Sequence, residues 1–184
     1  DTLQKLSLLE DPAIERINSL FFDHNNSIYF TSSRKLIKYN LNTKIKKIYD
    51  STIGLPNEGL SYVVYDDDTH LWICTRASGL CRFNIKDESV QYFKEGEGLV
   101  DNIYLFGISV VKKSLIAAHR WQFFSYYQPK TKEHLLAETP FLLSKNSTPP
   151  VSFLTIPSDR LIALFQLNDI AFLSIPSIPN RPAS

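Results

Sequence analysis

The sequence contains no methionine, only two cysteines and two tryptophans in 184 residues, and almost no net charge. Each shortage excludes something. Twenty basic against nineteen acidic side chains leave a formal charge of +1, so no global field draws the chain to nucleic acid or to an anionic membrane. A charged partner must be met locally. No run approaches the ~20 apolar residues needed to cross a bilayer, and the first residues, DTLQKLSLLE, lack the basic and apolar regions of a signal peptide. The missing methionine predicts a start after a removed leader, or a piece of a longer protein. Cys74 and Cys81 are too few for a disulfide scaffold and lack the second pair of a structural zinc site. His24, His70, His119 and His134 share no ligand spacing, so neither metal nor cofactor is expected.

What is present is apolar and periodic. A hydrophobic content of 43%, with 12% aromatic residues, suits one domain with a true core. The stretch from Ser19 (SLFFDHNNSIYFTSSRKLIKYN) lies over the stretch from Tyr62 (YVVYDDDTHLWICTRASGLCRFN) with one residue of slippage in the middle. Ile28 matches Leu71 at an offset of 43, whereas Tyr39 matches Phe83 and Gly54-Leu55 matches Gly98-Leu99 at 44. A fainter third copy carries Leu115-Ile116-Ala117 and FFSYY at 123–127. A fourth carries Leu161-Ile162-Ala163 and IAFLS at 170–174.

Alternation such as Val90-Gln91-Tyr92-Phe93, β-branched and aromatic enrichment, and turn clusters such as Asp66-Asp67-Asp68 predict strands of about 4 to 7 residues. For the second copy these are SYVVY, HLWICT, LCRFN and VQYFK. Four antiparallel strands per unit of roughly 40 to 50 residues predict an all-β fold, a β-propeller of about four blades. The blades fall at 15–57, 58–101, 102–147 and 148–176, in a single domain spanning 1–184, with a proline-rich tail at 177–184. The prolines block a fourth strand in the last blade, and LQKLSLL at 3–9 is a strand without a blade. Either the N-terminal strand closes the ring beside IAFLS, or the chain is an open arc of a larger propeller.

The pattern LWICTRASGLCRFN, preceded by an aspartate turn and flanked by Gly54-Leu55-Pro56-Asn57 and Gly98-Leu99-Val100-Asp101-Asn102, resembles the two-component regulator propeller repeat. Cys74 stands where that repeat has glycine. The resemblance implies the periplasmic sensor region of a hybrid two-component system of the Bacteroidetes type. Further propeller and immunoglobulin-like domains and a histidine kinase would lie elsewhere in the parent protein, and a homodimer is compatible with it. It carries over no catalytic residue.

With Arg76 to Gly79 as the turn, Cys74 is expected opposite Cys81 and Trp72 opposite Phe83. That places the two thiols as a cross-strand pair, near but wider than disulfide spacing. Neither cysteine has an evident base, and paired carboxylates are wanting, so no enzymatic activity is expected. The Asp66-Asp67-Asp68 turn has Leu71 and Ala77 where a calcium loop needs glycine and glutamate. Function in a propeller comes from loops on a rigid scaffold. The loops joining second to third strands and successive blades gather Arg34, Arg76, Asn102, His119, Arg120, Trp121 and Asn168 on one face. Guanidinium forks and amides suit carboxylates or sugar hydroxyls, and a tryptophan face suits a pyranose ring. The expected function is a ligand-sensing module for an oligosaccharide or other small polar ligand. The alternative is a non-enzymatic scaffold for protein–protein interaction.

Overall fold

Strands account for nearly all the regular structure. The computed structural model describes residues 11–12, 14–23, 25–67, 69–97, 99, 102, 108–111, 115–120, 123–138, 150–156, 160–165 and 170–174. The first sheet comprises β1 (Ser19–Phe22), β2 (Ser27–Ser32), β3 (Lys35–Asn40) and β4 (Lys46–Tyr49). The second comprises β5 (Leu60–Asp67), β6 (His70–Thr75), β7 (Leu80–Asn84) and β8 (Val90–Phe93). The third has β9 (Ile108–Val111), β10 (Leu115–Arg120), β11 (Phe123–Gln128) and β12 (Glu133–Glu138). The fourth has β13 (Pro150–Ile156), β14 (Arg160–Phe165) and β15 (Ile170–Ser174). Every sheet is an antiparallel meander in chain order. The leading strands adjoin in sequence, β1 to β5, β5 to β9 and β9 to β13, as blades around a common axis do. The closing strand expected at 3–9 lies outside the described residues.

The turns follow from their residues. Asp23 is buried and its carboxylate accepts from the N–H groups of Asn25 (2.9 Å) and Ser27 (2.7 Å), which folds the chain between β1 and β2. Asp50 accepts from Thr52 N–H (2.9 Å) at the head of a short 3-10 turn, Ser51–Ile53, which Gly54 ends at φ 90°. The chain then enters the linker to the second blade.

Blades stack through alternate faces. Tyr29, Leu36 and Tyr49 of the first blade pack on Leu71, Ile73, Cys81 and Phe83 of the second, with Phe21 and Tyr65 stacked at 4.8 Å. The other face of the second blade, Trp72, Cys74, Leu80 and Phe93, packs on Ile108 and Tyr127 of the third. Trp72 and Phe93 meet at 4.8 Å and Phe93 and Tyr127 at 5.7 Å, which extends the aromatic packing across the junction. FFSYY is therefore strand, and its described side chain, Tyr127, is fully buried in this packing.

The hairpin β6–β7 corrects the expected register. Its pairs are Leu71 with Phe83, Trp72 with Arg82, Ile73 with Cys81 and Cys74 with Leu80. Thr75 to Gly79, five residues instead of four, separate the last pair. Thr75 makes the difference: it ends β6 paired with Leu60, but on the β7 side its hydroxyl accepts from Ser78 N–H (2.8 Å) and donates to Gly79 O (2.9 Å), so there it opens the turn. A one-residue step sends alternate side chains to opposite faces. Cys74 thus joins the Trp72 core and Cys81 the Phe83 core, both as free thiols, and no cross-strand thiol pair exists. In the first blade, Ser32 pairs with Lys35 and only Ser33-Arg34 turn the chain. The slippage between offsets 43 and 44 falls in this turn.

Candidate ligand-binding site

Beside these turns, an open cleft of about 910 Å³ lies between the first and second blades. Three segments meet in it: the β2–β3 turn with Ser33, Arg34 and Lys35, the inter-blade linker Asn57-Glu58-Gly59, and Arg76 from the β6–β7 turn. Glu15, Arg16 and Asn18, which lead into β1, complete the wall. Main-chain bonds fix the three segments to one another. Leu60 N–H donates to Ser33 O at 2.7 Å and Arg76 N–H to Gly59 O at 3.0 Å. The Asn18 amide donates to Leu60 O at 2.8 Å.

The charged side chains divide into held and unheld. Arg16 Nε donates to Asn18 Oδ1 at 2.8 Å, and Ser33 Oγ donates to Glu15 Oε2 at 2.6 Å. Arg34 and Arg76 are exposed, and among the described residues neither guanidinium has a hydrogen-bond or ion-pair partner. Arg76 lies across the linker: a methyl group on Gly59 would sit 2.6 Å from its Nε and 2.7 Å from its Cδ. Glycine at this position therefore lets the arginine rest over the cleft. Four cationic side chains line the cleft against two carboxylates, Glu15 and Glu58. Two unpaired forks in such a surplus suit a carboxylate or another oxyanion.

Glu58 faces two ways. It lines the cleft, yet its Oε1 is shut from solvent and has no hydrogen-bond partner among the described residues. Its charge reaches the core behind the cleft. Burial first, and then the Glu58 charge, push the Cys81 thiol up to about 12. Burial, Cys81 and Glu58 likewise push Tyr92 up to about 12. Burial pushes the Cys74 thiol well above its ordinary range too, so both sulfurs are protonated and inert at neutral pH.

Of the residues expected on the ligand face, the structure brings Arg34 and Arg76 together. Asn102 is engaged one junction further on: its Oδ1 accepts from Glu95 N–H (2.9 Å), its Nδ2 donates to Glu95 Oε2 (3.4 Å), and its carbonyl accepts from Gly79 N–H (2.8 Å). His119 and Arg120 were expected in a loop. They lie instead within β10, paired with Phe124 and Phe123, because the strand continues to Arg120. Trp121 and Asn168 lie outside the described residues. Sequence reasoning missed Glu15, Arg16 and Asn18. Their signal was positional: they precede the first strand of the first blade, where the later blades have inter-blade linkers.

No protein-family model and no curated protein matches the chain. Solved structures do. An extracellular domain from B. thetaiotaomicron, described as that of a hybrid two-component system, superposes with a TM-score of 0.69 at 15% identity, over 94% of this chain and 25% of its own. A second such domain from the same organism gives a TM-score of 0.64 at 14% identity, over 89% of this chain and 21% of its own. The WD40 β-propeller domain of Doa1 gives 0.62 at 13% identity, over 80% of this chain and 46% of its own. The chain thus spans about a quarter of the length of the first of these domains. At such identities the likeness is one of fold, and it makes the chain an all-β propeller of the kind seen in the extracellular domains of hybrid two-component systems.

Proposed function

We propose that this chain is a non-enzymatic sensor propeller from the extracytoplasmic, periplasmic region of a two-component regulator, and that it binds a carbohydrate-type polar ligand in the cleft between its first and second blades. The observation that carries this reading is the convergence of Arg34 and Arg76, from turns of adjacent blades, with no partner for either guanidinium among the described residues. Rigid sheets hold the two turns, so the backbone positions from which both arginines reach into the cleft are set before a ligand arrives. The fold likeness to extracellular domains of hybrid two-component systems supports the sensor assignment.

Ligand bound across the junction would favour one relative placement of the two blades and so bias a signalling equilibrium. The reading is tested by thermal shift with a panel of neutral and acidic mono- and oligosaccharides. At least one should raise the melting temperature of the wild type, and the Arg34→Ala/Arg76→Ala variant should melt normally but lose the shift. A panel without any shift, or equal shifts in both proteins, sinks the reading.

A further inference from the structure

Glu58 occupies the linker position that Asn102 occupies one blade later, since Gly54-Leu55 and Gly98-Leu99 precede the two residues at equal distance. The two do different work. Asn102 braces its linker with both ends of its amide, taking Glu95 N–H and reaching Glu95 Oε2. Among the described residues Glu58 braces nothing: its Oε1 is buried without a partner there, and none of the four cations that line the same cleft forms an ion pair with it. A buried acceptor left unsatisfied is costly and is relieved by any donor brought to it. The terminal torsion of a glutamate is broad, so the carboxylate of this cleft-lining residue can turn in its place.

We propose that Glu58 is a specificity-determining residue and that the ligand of this cleft is a hydroxylated carboxylate: its acid group lies on Arg34 and Arg76, and a neighbouring hydroxyl donates to Glu58. This rests on the sensor reading above and narrows its ligand class. Charge decides between donors. An ammonium donor would enter a cleft that already holds four cationic side chains against two carboxylates, whereas a hydroxyl adds no charge and a carboxylate offsets the surplus. An acid without hydroxyls leaves Glu58 unanswered, and a neutral sugar leaves both guanidiniums unanswered.

Three probes separate these requirements by calorimetry: galacturonate, methyl galactoside and cyclohexanecarboxylate. The wild type should bind galacturonate at least tenfold more tightly than either other probe. Glu58→Ala should erase the advantage over cyclohexanecarboxylate, and Glu58→Gln, whose amide oxygen still accepts a hydrogen bond, should lose part of it, both variants still binding both acids. Arg76→Ala should erase the advantage over methyl galactoside. Retained galacturonate preference in both Glu58 variants overturns the role of Glu58. Methyl galactoside binding as tightly as galacturonate overturns the acid requirement and leaves the sensor reading standing. Heat from none of the three probes overturns this proposal, and the saccharide panel then decides the sensor reading by itself.

Discussion

Gly79 shows how much one residue can be asked to do. Its φ of +74° is unfavourable for any side chain, and a β-carbon there would sit 2.1 Å from Phe93 O, a backbone atom that cannot swing away. Gly54 has a φ of +90° but open space around it. Gly79→Ala is therefore expected to cost well over the ~1–2 kcal/mol of a left-handed residue, and Gly54→Ala about that amount. Urea midpoints of the two variants check the order. Gly59 is the reverse case, since the obstacle there is the flexible end of Arg76. Gly59→Ala should leave the urea midpoint nearly unchanged yet weaken ligand binding by displacing the arginine. The thiols are legible in the same way. With Cys74 and Cys81 on opposite faces and fully buried, a disulfide reagent should find no reactive thiol in the native protein and two after denaturation. The Cys81 thiol is raised from an ordinary 9.0 to about 12. The folded state keeps its proton while the unfolded state loses it, so this stability is complete below pH 9 and drains away between pH 9 and about 12. Cys81→Ala should flatten that alkaline slope in pH-dependent unfolding.

The strands themselves were readable. HLWICT and LCRFN occupy β6 and β7 as expected, because β-branched and aromatic residues between polar turn clusters leave little choice. Their register was harder. It depends on whether Thr75, the last residue of β6, pairs with β7 or opens the turn, and its own hydroxyl settles that by bonding within the turn. The slippage in the repeat already marked the extra residue, but not which side of the hairpin it displaced. Deleting Ala77 leaves four residues for a five-residue turn, so Leu80 should be drawn into the turn and β7 should move one step along. Arg82 would then turn into the Phe83 core and Cys81 away from it. Such a variant is expected to lose its cooperative unfolding transition by circular dichroism. His119 and Arg120 were misplaced for a related reason: a strand end in a faint repeat has no turn residue to announce it.

Across the whole molecule, stability lies between blades. Trp72 is completely buried at the junction of the second and third, and Trp72→Ala should cost about 3–5 kcal/mol in chemical denaturation. The rim of the first junction carries a polar contact, in which Lys47 and the Tyr49 hydroxyl both donate to the Glu88 carboxylate. The lysine holds that carboxyl below its ordinary 4.5, so its contribution is present above that pH and lost as the pH falls further. Both partners are partly exposed, so Glu88→Gln should remove no more than about 1 kcal/mol at neutral pH and should flatten the acid limb of the stability profile.

Local chemistry was enough for the strands, the turn clusters and the period, since each depends on neighbours along the chain. The repeat placed Arg34 and Arg76 on loops of one face for the same reason. The union of those loops with Glu15, Arg16 and Asn18, and the release of Glu58 from the bracing that occupies Asn102, arose only from the stacking of blades. Residues as far as 42 positions apart meet there, as where the Asn18 side-chain amide donates to Leu60 O, and the repeat period records no such contact.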